Sequence, residues 1–148
     1  MSRKDQATGK RDAPYIVGVG ASAGGLDAFQ ELLARLDDRL NLAIVFVQHL
    51  DPNSQSLLVD LLGKSTSKQV VEITGRKKLK ANFIYVCPPK TLLELKNGFI
   101  RIVQTEEDDG HSNAIDHLFH SIAEDQTDHG IGVILSGAGS DGTLGLKA

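Results

Sequence analysis

Short apolar runs alternate along the chain with segments whose apolar residues recur every three or four positions. The runs have the length of strands and cover residues 15–19, 42–47, 70–73, 83–87 and 131–135. The segments have the spacing of an amphipathic helix and cover residues 26–36, 57–62 and 115–122. Because the run 42–47 has no polar face, we expect helices on both faces of its sheet. The alternation predicts an α/β fold with a doubly wound, mainly parallel sheet.

One interruption of this pattern predicts local antiparallel pairing. Residues 92–95 and 99–103 are apolar-rich and flank Lys96-Asn97-Gly98. Asn-Gly favours the two-residue turn between antiparallel strands, because both turn positions need a positive φ. We therefore expect a hairpin here in addition to the parallel sheet.

The two ends of the chain differ from its middle. Residues 1–13 contain no large apolar side chain after Met1, so we expect a disordered tail followed by a folded domain over residues 14–148. A length of 148 residues with 41% hydrophobic and 24% charged residues fits one globular domain.

Residues 143–148 have the pattern of the first turns of a helix that ends before it can pack. The pattern predicts a domain that is incomplete at its C-terminal end.

Charge and cysteine content narrow the functional classes. The formal net charge of −3 gives no bulk attraction to a polyanion, so nucleic acid is not an expected partner. Cys87 is the single cysteine and lies in an apolar run, which fits a reducing cytoplasmic setting. The sequence has no apolar stretch of the roughly 20 residues that a spanning helix needs, and its N-terminus is polar. We expect neither membrane insertion nor secretion.

Three polar side chains follow predicted strands, at the edge where ligands bind in open α/β sheets. Ser22 lies in the glycine-rich segment 18–25, His49 follows the second strand, and Asp141 lies in the glycine-rich segment 136–142. A serine hydroxyl becomes a good nucleophile when an imidazole takes its proton and a carboxylate orients that imidazole. The three residues therefore predict a site for acyl transfer.

Other interpretations of the first glycine-rich segment remain open. Gly18, Gly20 and Ala23 fit the loose dinucleotide fingerprint, although the second strand ends in Gln48-His49 and lacks the acidic residue that binds a ribose. The segment 20–24 also fits the G-x-S-x-G elbow of α/β-hydrolases, but those enzymes have the order serine, acid, histidine.

Each candidate also has a purely structural interpretation. Ser22 could cap a helix, Asp141 could form a turn, and His49 could simply end a strand. Asp116 and His120 lie four residues apart on a predicted helix and could bind a metal, but no third ligand is evident. The joint position of the first three residues favours the catalytic interpretation.

Four segments resemble a known family in the same order along the chain: residues 16–25, 47–50, 84–89 and 135–142. Over nearly all of residues 14–148, the sequence resembles the catalytic domain of CheB-type protein-glutamate methylesterases. The resemblance implies Ser22 as nucleophile, His49 as general base and acid, and Asp141 as the orienting carboxylate. It also implies hydrolysis of γ-glutamyl methyl esters on the cytoplasmic helices of chemoreceptors, glutamine deamidation as a companion activity, and no metal or organic cofactor.

Some residues indicate a particular branch of that family. Ala23 stands where chemotaxis enzymes with a receiver domain usually have threonine. Together with residues 48–52 and 123–126, this alanine resembles hybrid proteins that join the domain to a CheR-type methyltransferase and sensory modules. A fused methyltransferase is thus an expected partner. The alternative function is a weak or inactive regulatory module within such a hybrid.

Overall fold

The computed structural model describes residues 13–22, 25–48, 55–103, 113–135 and 142–148. In chain order its elements are β1 (Tyr15–Ala21), α1 (Leu26–Arg35), β2 (Leu42–Gln48), α2 (Gln55–Ser65), β3 (Gln69–Glu72), β4 (Lys77–Lys78), β5 (Phe83–Val86), β6 (Leu92–Lys96), β7 (Phe99–Val103), α3 (Ala114–Gln126), β8 (Gly130–Ile134) and α4 (Thr143–Lys147). Of the predicted tail, residues 1–12 lie outside the described residues. No helix in the described ranges has the length and apolar character needed to cross a bilayer.

The central sheet confirms the predicted parallel architecture. Within the described residues it has five strands in the order β3-β5-β2-β1-β8, and every neighbouring pair is parallel. β1 lies inside the sheet, where Ala21 pairs with Gln48 on one side and Gly20 pairs with Ile134 on the other. The chain moves from β1 towards β2 and later returns to β8 on the opposite side. The carboxyl edge between β1 and β8 is therefore a topological switch point, the usual place for a ligand in such sheets.

Successive residues of the inner strands enter two separate cores. Val17, Val19 and Ala21 of β1 pack in the core that includes Phe29 of α1. The rings of Phe29 and Phe46 stack there with their centroids 4.2 Å apart. On the opposite face, Ile16 belongs to the core formed with α3 and the small sheet. Both faces of the sheet are thus covered, as the uniformly apolar second strand predicted.

A small antiparallel sheet shares the second face with α3. Its strand order is β4-β7-β6 within the described residues. Asn97 and Gly98 connect β6 to β7 with φ values of 54° and 78°, which confirms the predicted hairpin. The sequence did not predict β4, where Lys77 pairs with Ile100 and Lys78 pairs with Phe99. The hairpin is therefore part of a second sheet.

Polar side chains of α3 join the helix to this hairpin. The Ser121 hydroxyl accepts a hydrogen bond from the Leu95 N–H at 2.9 Å and donates one to the Leu118 carbonyl at 2.7 Å. At the turn, the Asp125 carboxylate accepts hydrogen bonds from the Asn97 N–H at 2.5 Å and the Gly98 N–H at 3.0 Å. Partial burial opposes ionisation of Asp125, but these bonds and one from the Gln126 side chain lower its pKa.

Candidate active site at the carboxyl edge of the sheet

Ser22 directly follows the central strand, and two hydrogen bonds hold its backbone. The Ser22 carbonyl accepts one from the Gly25 N–H at 2.9 Å. It accepts a second from Nε2 of Gln48, also at 2.9 Å. The first bond closes a turn into α1, and the second joins that turn to the end of β2. Ser22 thus lies at the carboxyl edge of the sheet, as predicted from its position after a strand.

α1 begins at Leu26, and its N-cap residue is Gly25. Ser22 lies three positions before that residue, and the role of its hydroxyl, as a cap or as a nucleophile, stays a prediction. The residue lies in a turn between strand and helix, with its backbone carbonyl engaged on both sides.

β1 is longer than the sequence analysis expected, and this corrects the interpretation of its glycines. Gly18 and Gly20 lie inside the strand, which continues to Ala21. A Cβ atom at Gly20 would lie 2.6 Å from Cγ2 of Ile115, and one at Gly18 would lie 2.8 Å from Cδ1 of Ile122. These glycines allow α3 to pack closely on β1. They do not form the phosphate-binding turn that the dinucleotide interpretation requires.

His49 and Asp141, the two partners predicted for Ser22, lie outside the described residues. Their described neighbours converge on the edge that carries Ser22. Gln48 pairs with Ala21, and the Leu135 N–H donates a hydrogen bond to the Gly20 carbonyl at 2.9 Å. Gly142 packs so closely that a Cβ atom there would lie 2.7 Å from Ile115, the residue that also covers Gly20. The contact between the three predicted side chains stays a prediction.

Asp116, the first residue of the weaker metal-site hypothesis, has a structural partner. Its Oδ1 accepts a hydrogen bond from the Gly145 N–H at 2.8 Å, in the first turn of α4. A carboxylate stabilises this end of a helix because the free amides there carry partial positive charge. His120 is exposed. Among the described residues, no group of three His, Cys, Asp or Glu side chains is placed to hold a metal ion.

Cys87 is buried beyond the end of β5. Its Sγ lies 3.4 Å from the Pro88 carbonyl and 3.5 Å from the Thr91 carbonyl, so both carbonyls are within reach of its one S–H. Burial, with a smaller contribution from the charge of Glu72, raises the pKa of the Cys87 thiol to about 12. Because the thiolate is the reactive form, Cys87 is a poor nucleophile.

Gln48 is the residue at this edge that the sequence analysis missed. Its Nε2 donates to the Ser22 carbonyl, whereas its Oε1 is buried and has no hydrogen-bond partner within the part of the chain that the structure describes. The apolar pattern of the sequence places Gln48 only at the end of a strand. The signal for its position was its place directly before His49, at the end of the strand next to β1.

Comparisons with known proteins agree with this architecture. A family model described as CheB methylesterase matches residues 17–148. A Bacillus subtilis protein-glutamate methylesterase/protein-glutamine glutaminase is 31% identical over an alignment 151 residues long. The alignment covers 99% of this chain and 41% of the relative. A Leptospira interrogans relative named for the same two activities is 35% identical over 130 residues, which cover 87% of this chain and 67% of the relative.

A solved structure agrees with the fold. The catalytic domain of the Thermotoga maritima CheB methylesterase superposes with a TM-score of 0.78 and 28% sequence identity. The match covers 90% of this chain and 75% of that domain. The chain therefore spans most of a catalytic domain but less than half of the Bacillus subtilis relative.

Proposed function

The chain belongs to the CheB methylesterase family, a family of carboxylic ester hydrolases, and on this premise we propose that it is a serine hydrolase that removes methyl esters from glutamate side chains. The observation that carries the proposal is the position of Ser22. It follows an inner strand of the sheet, at the switch-point edge, and two hydrogen bonds hold its backbone. A fixed position matters because catalysis depends on placing the nucleophile within about 1 Å.

In the proposed reaction, Oγ of Ser22 attacks the carbonyl carbon of a γ-glutamyl methyl ester while His49 takes the hydroxyl proton. Asp141 orients the imidazole and stabilises its cationic form. The tetrahedral intermediate collapses, and methanol leaves with the proton from His49. A water molecule activated by the same imidazole then hydrolyses the acyl-enzyme, which frees the glutamate carboxylate and restores the serine.

The N-terminal end of α1 supports stabilisation of the intermediate. α1 begins at Leu26, four residues after Ser22. The first amides of a helix have no partner within the helix and lie at the positive end of its dipole. Such donors stabilise the negative oxygen that develops on the ester carbonyl. We propose that this end of α1 contributes to the oxyanion site.

The wider role of the reaction is also a proposal. We propose that the substrate is a methylated chemoreceptor or similar signalling protein, and that the reaction takes place in the cytoplasm during chemotaxis or related signalling. The names of the Bacillus subtilis and Leptospira interrogans relatives support glutamine deamidation as a second activity. Ala23 and residues 123–126 support a fused CheR-type methyltransferase as partner, through their resemblance to hybrid proteins.

Labelling with a fluorescent fluorophosphonate tests the nucleophile. We expect the chain to be labelled and Ser22→Ala to lose labelling and methyl-ester hydrolysis. Its thermal midpoint should shift by no more than about 2 °C, because a single hydroxyl is removed. Ser67→Ala is the matched control, since Ser67 is exposed and bonds to Asp38 away from this edge. Equal labelling of Ser22→Ala would reject the proposal, and an unlabelled parent chain would favour the regulatory module.

A further inference from the structure

The side chain of Gln48 links the turn at Ser22 to the neighbouring strand. Gln48 is the last residue of β2, and its backbone pairs with Ala21. Its Nε2 donates to the Ser22 carbonyl at 2.9 Å. That carbonyl also accepts from the Gly25 N–H, but the latter bond stays within the turn. The side chain of Gln48 therefore supplies a hydrogen bond that connects the turn to the end of β2.

The orientation of the Gln48 amide is determined by its partner. A carbonyl oxygen only accepts hydrogen bonds, so the amide nitrogen must face Ser22. This orientation directs Oε1 away from Ser22, and there it is buried with no hydrogen-bond partner among the described residues. Counted over the described ranges, the side chain thus makes one hydrogen bond, through Nε2, and Oε1 makes none.

Fold stability alone does not explain this arrangement. An unpaired buried acceptor is costly, and an apolar side chain of similar shape avoids that cost. Leucine or methionine would fill the same space with no polar atom to satisfy. A costly polar group beside a candidate nucleophile indicates that its hydrogen bond to Ser22 serves the site.

We propose that Gln48 is a positioning residue, which holds the Ser22 carbonyl against the end of β2 and thereby places the nucleophile relative to the segment that begins with His49. This inference rests on the proposed esterase function. Its consequence concerns the chemical step, because loss of the bond lets the turn at Ser22 shift. A misplacement of about 1 Å can reduce a rate about a hundredfold.

The test compares Gln48→Leu and Gln48→Glu in hydrolysis of a synthetic peptide that contains γ-methyl glutamate, with methanol release as the readout. Gln48→Leu has no donor at any pH. We expect its kcat to fall about ten- to a hundredfold at all pH values, with KM within about twofold of the parent. Its thermal midpoint should stay equal or rise, because the unsatisfied oxygen is removed.

Gln48→Glu adds a pH signature that a merely structural role would not produce. The introduced carboxylate has no donor when ionised and regains an O–H donor when protonated. We therefore expect the ratio of its kcat to that of the parent to rise as pH falls from 8.5 to 5.5. The ratio for Gln48→Leu should stay constant. Gln69→Glu is the matched control, because Gln69 is exposed at the opposite, amino-terminal end of β3.

The outcomes separate this inference from the proposed function. An active parent with unchanged kcat in both variants would overturn the role of Gln48 and leave the esterase proposal intact. A fall in kcat that accompanies a lower thermal midpoint, with no pH dependence of the Gln48→Glu ratio, would reduce Gln48 to a structural residue. A parent without hydrolysis or fluorophosphonate labelling would overturn both proposals.

Discussion

At the scale of single residues, Asp125 shows how one carboxylate can stabilise a turn from a distant helix. The hairpin turn at Asn97 and Gly98 presents two N–H groups to it. Hydrogen bonds to a charged acceptor are stronger than neutral ones, so they lower the pKa of Asp125 despite the opposing effect of burial. Folding therefore favours the ionised form of this side chain.

Asp125→Asn should lower the free energy of unfolding at pH 7 by about 1 kcal/mol, a modest value because the carboxylate is partly exposed. A lowered folded-state pKa gives stability that is present above the unfolded-state pKa of about 3.9 and is lost as pH falls through the folded-state value. The difference from the parent should therefore shrink below about pH 4. Denaturant unfolding across pH measures it, with the exposed Glu124→Gln as control. A constant difference would contradict the assignment.

At the scale of elements, the closest contact near the candidate site is between β1 and α3. Gly20 lies directly beneath Ile115, so any larger residue at this position must displace the helix or the isoleucine. The same isoleucine covers Gly142, the residue after Asp141. The side chain of Ile115 thus packs on Gly20 and Gly142, which lie in the two glycine-rich segments that carry Ser22 and Asp141.

Gly20→Ala should lower the free energy of unfolding by about 1–3 kcal/mol through overpacking. The double variant Gly20→Ala/Ile115→Ala should lose less free energy of unfolding than the sum of the losses in the two single variants, because the smaller residue makes room for the new methyl group. Gly63→Ala is the control, since no atom lies within 4 Å of a Cβ there, and we expect it to stabilise α2 by about 0.5–1 kcal/mol. Additive costs in the double variant would contradict the contact.

Elements with a strong local signal were predictable from the sequence, and elements that depend on distant partners were not. Asn97-Gly98 has the turn preference of a hairpin, and β2 has an apolar run that requires two covered faces. β4 has only Lys77 and Lys78, and its pairing with β7 depends on residues about twenty positions later. The extension of β1 through Gly20 was missed because glycine lacks strand preference, whereas packing under α3 requires it there.

At the scale of the whole molecule, the strand order determines where the candidate site lies. Alternation of strands and helices predicted the carboxyl edge, and Ser22 lies on it. The sequence could not predict that β1 lies between β2 and β8, because that order depends on pairing between distant segments. The role of Gln48 was equally hidden, since its contact with Ser22 exists only once β1 and β2 are in register.

Chemical modification of the Cys87 thiol reports opening of the whole domain. Its side chain is buried between the central and small sheets, and its pKa is raised to about 12. At pH 8 the thiolate fraction in the folded state is therefore about one in ten thousand, against about a quarter for an unperturbed thiol. We expect iodoacetamide to modify the folded protein far more slowly than the protein in denaturant, measured as added mass. Equal rates would contradict the burial of Cys87.

The inner position of β1 also affects how the domain forms during synthesis. β1 leaves the ribosome before the other described strands of its sheet, but its pairing with β8 joins Ile16 to Gly130. At about 5–20 residues per second, translation takes on the order of ten seconds to supply that second neighbour. The nascent chain therefore carries an apolar strand with one open side throughout this interval. We expect chaperones that bind extended apolar segments to protect it until β8 emerges.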